Sequence, residues 1–287
     1  MKWPALLLTL LLAQPVLAQL QSTEEIARTA CSRSRVVMMN EAHNGQLRLT
    51  RTRRLGKALL PVFWQGGVRT LAAEAIDPTT AAEANRTRHF PVLDARVGYL
   101  GQPEMREFFQ AALDQGMNVA SYEVSEPEYL AQRLWFDQHT IKVGSERERY
   151  GGEDWNRFRE LNQAQHLQKL LERLKPEEKL LVWCGNGHLS KAPTQVDLTG
   201  WSKRPYYPMG HYLRELTGIE PFCIDQTSTA DWPGEGILER GKLFLERFGS
   251  QLDGPEESAG LLMESLPEAE QRAGADALIF SRRNGFE

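Results

Sequence analysis

The strongest constraint on the fold is a set of short apolar runs that do not alternate with polar residues. They are Arg35 to Met39, Arg69 to Ala73, Asn118 to Tyr122 and Lys179 to Cys184, with Pro221 to Ile224 and Asp276 to Phe280 as two further candidates. A strand with one wet face alternates apolar and polar residues, whereas one buried on both faces does not, so these runs predict the central strands of a covered sheet. Segments of helical periodicity lie between them: Leu47 to Phe63, Pro103 to Gln115, Pro127 to Asp137, Asp154 to Leu174 and Gly210 to Thr217. Gly66-Gly67, Gly116 and Pro176 stand where helices should stop. Strands alternating with helices imply an α/β fold, a mostly parallel central sheet with helices on both faces.

Residues 1–18 have the form of a cleavable signal peptide: Lys2 supplies a basic start, Leu6 to Leu12 an apolar stretch, and Val16-Leu17-Ala18 small residues before a cut. That stretch falls short of the roughly 20 residues a spanning helix needs, and no later segment approaches that length, so no integral membrane segment is expected after signal removal. Residues 19–287 then form one α/β domain, in which 249–274, rich in Gly, Glu, Ser and Pro, is read as a mobile excursion before a last strand. The expected location is exported, periplasmic or secreted. In that oxidising setting the three cysteines, Cys31, Cys184 and Cys223, allow one bridge at most, and Cys184 meets Cys223 only if their strands are neighbours. The formal charge of −4, or −5 without Lys2, provides no basic field for nucleic acid, so nucleic-acid partners are excluded and a small-molecule substrate is expected.

The residues just beyond each strand carry the chemistry. Asn40-Glu41-Ala42-His43 comes after the first, Glu74-Ala75-Ile76-Asp77 after the second, Glu123 after the third, Gly185-Asn186-Gly187-His188 after the fourth and Asp225-Gln226 after the fifth. In open parallel sheets the carboxyl ends of the strands share one edge, and ligands bind there. A lone acidic residue after a strand ordinarily caps the next helix. Carboxylates arriving together with two histidines make an acid-base site the better reading, because a carboxylate beside an imidazole fixes its tautomer and raises its basicity. The candidate catalytic residues are therefore His43, Glu41, Glu74 and His188, with Glu123, Asp77, Asn186 and Asp225 as candidate substrate contacts. No Gly-x-Ser-x-Gly, Ser-x-x-Lys, His-Glu-x-x-His or phosphate-cradling glycine loop is present. Cys184 lies inside a buried-looking strand and reads as packing rather than as a nucleophile.

These segments resemble the erythromycin esterase-like and ChaN-like superfamily, which includes the Tiki/TraB proteins. Val36 to His43 is similar to its Gly-Glu-x-His segment, Leu71 to Ala75 to its second-strand motif, and Arg159-Glu160 with Asn162 to Leu167 to its Arg-Asp helix. Val182 to Lys191 is similar to the later strand end that carries a His, and Pro208 to Arg214 to the Met-Gly helix after it, so the likeness runs over roughly residues 35–225. Asn40 stands where the family usually has Gly, the extra residue the esterases place between Glu and His is absent, and Cys184-Gly185 replaces a small residue and a His. The resemblance implies a hydrolase scaffold and stops short of macrolide specificity.

By analogy with the esterases, it implies that His43 acts as general base without a metal, assisted by Glu41, Glu74 and His188. The expectation is an exported hydrolase that activates water on an ester, lactone or amide: His43 deprotonates water, Glu41 orients it, Glu74 steadies the developing charge and His188 donates to the leaving group. No cofactor is then required. The ChaN-like branch implies an alternative, a binding protein for haem iron or a divalent metal.

Overall fold

The computed structural model describes residues 19–41, 51–74, 76–93, 98–125, 127–131, 134, 153–196, 204–226, 243–252 and 258–281. In chain order the elements that frame the site begin with β1 (Gln21–Ser22), α1 (Thr23–Arg33), β2 (Val36–Glu41), α2 (Arg51–Gln65) and β3 (Val68–Ala73). Then come α3 (Pro78–Thr87), α4 (Pro103–Asp114), β4 (Asn118–Ser121), α5 (Glu153–Arg173) and β5 (Lys179–Gly185). The chain ends through β6 (Thr194–Val196), β7 (Arg204–Tyr206), α6 (Met209–Thr217), β8 (Phe222–Asp225), β9 (Ser258–Leu262) and β10 (Ala277–Ser281). The signal-like segment and residues 42–50 with His43 lie outside the described residues, as do residues 132, 133 and 135–137 of the helix expected from Pro127 to Asp137, in which residues 127–131 and 134 are helical.

Eight strands form one mixed sheet in the order β1-β9-β10-β8-β2-β5-β3-β4, and β6 pairs with β7 in a separate ribbon. The six strands from β10 to β4 run parallel, each paired with its neighbour in that sense. All six residues of β2 are buried, and in β5 all but Lys179, as unalternating runs require. Side chains of successive residues go to opposite faces. Val37 and Met39 of β2, Leu71 and Ala73 of β3 and Leu181 and Trp183 of β5 pack with α1, α2 and α4. Val36, Met38, Ala72, Val182 and Cys184 pack on the other face with α5 and α6.

Close packing uses glycine where no side chain fits. A Cβ on Gly56 of α2 would fall 2.7 Å from the Trp183 ring, and Gly67 and Gly116, after α2 and α4, have φ of +97° and +96°. These glycines end their helices in the left-handed region, as their positions in the chain predict.

Three features differ from the sequence reading. The stretch 249–274 supplies β9, which runs antiparallel to β10 and pairs in turn with β1. Its apolar run is short and lies among turn-forming residues, and only contact with β10, across a gap in sequence, makes it a strand. Helices α1 and α3 carried signals that periodicity alone passes over. Ser22 and Glu25 form a reciprocal capping box before α1, and Asp77-Pro78 starts α3 with a capping carboxylate and proline in the first turn. Finally, β2 lies between β5 and β8, with Asn40 opposite Cys184 and Met38 opposite Cys223. Two strand spacings, roughly 10 Å, therefore separate the two cysteine backbones, too far for a bridge. Cys31, Cys184 and Cys223 are buried free thiols. Burial pushes Cys31 up to about 11 and the other two well above the usual thiol range, which leaves them as inert packing.

Candidate functional site

The carboxyl edge of the parallel strands gathers two buried charge clusters, one on each face of the sheet. On the α5/α6 face, Glu74 ends β3 and points toward α5. Its Oε2 accepts the amide N–H of Gly185 at 2.8 Å, which ties the end of β3 to the end of β5. Its Oε1 lies 2.6 Å from Nη2 of Arg159 and 3.2 Å from Nε2 of His188. The same Arg159 nitrogen meets Glu123 Oε2 at 2.5 Å, so one guanidinium joins the carboxylates that come after β3 and β4. Gln163, one turn along α5, donates to Glu123 Oε1 at 3.0 Å. An α-helix repeats every 3.6 residues, so Arg159 and Gln163 lie on one stripe. Arg159 and Glu160 are neighbours, and they approach His188 from two sides.

His188 reaches this cluster through a turn. Gly185 to Gly187 let the chain double back after β5, where the His188 amide donates to the Gly185 carbonyl at 3.1 Å. The ring is 9% exposed and lies between carboxylates: Nδ1 is 2.6 Å from Glu160 Oε1, a charge contact without hydrogen-bond alignment, and Nε2 faces Glu74. Burial alone would lower the His188 pKa, but Glu160 and then Glu74 outweigh it and hold the ring up at about 10. Both carboxylates therefore favour the protonated ring. Burial opposes the charge on Arg159 as well, yet Glu123 and Glu74 hold its pKa above the ordinary arginine value. The cluster is a line of alternating charge, Glu123, Arg159, Glu74, His188, Glu160, with the phenol of Tyr206 at its end.

On the opposite face, Glu41 ends β2. Arg53 of α2 donates to both of its oxygens, Nε to Oε2 at 2.9 Å and Nη2 to Oε1 at 3.1 Å, and both side chains are fully buried. Arg53 Nη1 also donates to Gln102 Oε1 at 2.5 Å. A bidentate arginine holds both carboxylate oxygens in a fixed plane. Glu41 is thus paired with Arg53 across the sheet from Glu74, on the face opposite His188.

The other expected contacts divide. Glu123 belongs to the first cluster. Asn186 and Asp225 meet beside it through Asn40, whose Nδ2 donates to Asn186 Oδ1 at 3.1 Å and Asp225 Oδ1 at 2.9 Å. Arg272, which precedes β10, pairs with the fully buried Asp225. The Gln226 amide donates to Asn40 Oδ1 at 2.6 Å, so Asn40, standing where the resembled family has Gly, locks the ends of β2, β5 and β8 together. Asp77 is not among these residues. Its carboxylate accepts the amides of Thr79 and Thr80 as the cap of α3, and these bonds outweigh burial to lower its pKa. For Asp77 the ordinary capping role is the one the structure shows.

Arg159, Glu160, Gln163 and Tyr206 complete the cluster, and strand-end reasoning did not select them. Arg159 and Glu160 lie within a long, charge-rich helix, where charged residues ordinarily face solvent. Tyr206 is in a two-stranded ribbon with no strong apolar pattern. Only the family-like Arg159-Glu160 pair marked this stretch beforehand.

The described cluster does not fit a haem iron or a divalent metal. Ligation needs an unprotonated imidazole nitrogen and accessible carboxylate oxygens. Here both ring nitrogens face carboxylates, and Glu74 and Glu123 are engaged by Arg159. Among the described residues, no group of three or more His, Cys, Asp and Glu side chains is arranged to hold a metal ion.

Taken together, fold and site define an α/β protein with a buried acid-base cluster on the carboxyl edge of a parallel sheet. No protein-family model matches the chain, and neither does any curated protein sequence. Among solved structures it is similar to an erythromycin esterase, EreC, in its open conformation, at 11% identity and a TM-score of 0.57, covering 90% of this chain and 93% of that one. It is also similar to ChaN of Campylobacter jejuni, in a structure with cofacial heme binding, at 8% identity and a TM-score of 0.46, covering 92% and 93%. A third similarity, at 12% identity and a TM-score of 0.42, is to RRSP, a MARTX toxin effector domain from Vibrio vulnificus, where the match covers 67% of this chain and 34% of the other. The chain thus spans about a third of that effector structure. At such identities the likeness is one of fold alone, and the fold is similar to that of the erythromycin esterase.

Proposed function

We propose that this protein is an exported hydrolase that activates water against an ester, lactone or amide. The observation that carries the reading is the Glu74–His188 contact of 3.2 Å at the carboxyl edge of β3 and β5. The esterase-like fold and the edge on which such folds bind ligands support it.

In this reading His43 takes a proton from water, and the resulting hydroxide attacks the substrate carbonyl. As the carbon–oxygen or carbon–nitrogen bond breaks, His188 gives a proton to the leaving group. A departing alkoxide or amide is far more basic than an imidazole, so the transfer runs downhill even from a ring that holds its proton tightly. The proton on His43 then returns to His188. Glu74 steadies the imidazolium, Arg159 fixes Glu74, and Glu41 with Arg53 anchors the end of β2 two residues before His43. The substrate is a small molecule, and the protein acts in the periplasm or outside the cell.

The test is a panel of chromogenic esters, lactones and amides assayed with purified wild type and His43→Ala. Loss of the base should lower turnover by about 10²–10⁴-fold while thermal unfolding stays unchanged. Retention of most of the activity by a folded variant refutes the assignment.

A further inference from the structure

Glu160 is a buried acid to which the hydrolytic steps assign no role. Its side chain is 2% exposed, on the first described turns of α5, and three elements converge on it. The Tyr206 hydroxyl, at the end of β7, donates to Oε1 at 2.5 Å. The backbone N–H of Met209, at the start of α6, donates to Oε2 at 2.6 Å. His188 presents Nδ1 to Oε1 at 2.6 Å. The phenol and the helix-start amide thus fix both oxygens of this carboxylate in place. Helix α6 is itself pressed onto the His188 turn: the Gly210 amide donates to the His188 carbonyl at 3.1 Å, and a Cβ on Gly210 would lie 2.7 Å from the Leu189 carbonyl oxygen. The acid and the ring therefore have little freedom to separate.

We propose that Glu160, backed by Tyr206 and the Met209 amide, is a positioning residue that locks His188 as a doubly protonated imidazolium, so that His188 serves the site as a fixed proton donor and not as the base. The inference deepens the hydrolase reading and rests on it for its kinetic arm alone. Among the described residues, the charged and titratable groups facing the ring are Glu160 and Arg159 from α5 and Glu74 from the end of β3, with Tyr206 of β7 acting through Glu160. Two of these are carboxylates in contact with the ring, one at each nitrogen. Arg159 Nη1 lies 3.3 Å from Nε2 and opposes the charge, but this guanidinium is shared between Glu74 and Glu123. Without Glu160 the ring keeps, among the described residues, one carboxylate and one guanidinium and remains buried, conditions that favour the neutral imidazole.

The experiment is a pH titration of ¹⁵N-histidine-labelled full chain, following the ring nitrogens by NMR. In the wild type both His188 nitrogens should stay protonated from pH 6 to 9. Glu160→Gln keeps the shape and removes the charge, and should bring the midpoint down by at least two pH units. Glu160→Asp should restore the protonated ring above pH 7. Tyr206→Phe should leave the ring charged, because the carboxylate remains and loses only a competing donor.

With a substrate in hand, Glu160→Gln should show kcat falling at least about fourfold between pH 6 and 8.5, as a midpoint of 8 or below requires, with KM within threefold. A wild-type ring found neutral at pH 7.5, or a Glu160→Gln ring still charged at pH 9, overturns the proposal. The wild-type titration decides even if the Gln variant fails to fold. If no substrate is turned over, the hydrolase reading falls and the ring titration still judges the lock.

Discussion

Replacing Arg53 with Met tests the idea that Glu41 is an anion held in place rather than a reacting group. Arg53 and Glu41 are both fully buried and share two hydrogen bonds of 2.9 and 3.1 Å. Methionine matches the aliphatic stem of arginine and leaves no large void, so the loss is mainly that of the charge. Removing one member of a buried pair costs about 3–5 kcal/mol, because the remaining ion has neither water nor its counter-charge. The Gln102 oxygen that accepts from Arg53 loses a donor as well, a cost already within that range. For a domain of this size 1 kcal/mol corresponds to roughly 2–4 °C, so Tm should fall by about 6–20 °C, measured by calorimetry or circular dichroism. Glu41→Leu strands the guanidinium in the same way.

The double variant Glu41→Leu/Arg53→Met buries no lone charge. Its destabilisation should therefore be smaller than the sum of the two single ones by about 2 kcal/mol or more. Strict additivity, or an Arg53→Met protein that unfolds within about 3 °C of wild type, refutes the reasoning.

The same charge arrangement bears on pH and on helix capping. Glu160 and Glu74 hold the folded His188 pKa, about 10, above its usual 6.5, so the stability this contributes is complete below pH 6.5 and is lost as pH rises through about 10. The urea midpoint of the wild type should decline over that window, and His188→Asn should flatten the decline; an equal slope in both proteins would contradict the assignment. For Asp77, which caps α3 through Thr79 and Thr80, substitution with Ala should cost about 0.5–2 kcal/mol and leave KM unchanged. A rise in KM at unaltered stability would return Asp77 to the substrate site.

The sheet was legible in the chain because burial on both faces leaves a compositional trace: every residue of β2 is apolar or ends up inside, and six such runs gave six parallel strands. Parallel direction is then a consequence of the intervening helices, and with it the gathering of Glu74, Glu123, Asn186, His188 and Asp225 along one edge. These are local signals, carried by adjacent residues and needing no knowledge of what packs where.

Which partner each carboxylate takes is a different kind of fact. Glu41 is the last residue of β2 and Glu74 the first after β3, one step apart in register, and one pairs with Arg53 of α2 and the other with Arg159 of α5, on opposite faces. The face is set by the parity of each residue in its strand, and the partner by a helix that arrives 12 residues later in one case and 85 in the other. The order of the strands had the same origin: β2 enters between β5 and β8, which keeps Cys184 and Cys223 apart. The edge on which the chemistry collects was determined by the chain alone, because hydrophobic burial is written residue by residue. The charge state and role of each group on that edge came from tertiary packing, since a buried ion takes its character from neighbours that only the folded chain supplies.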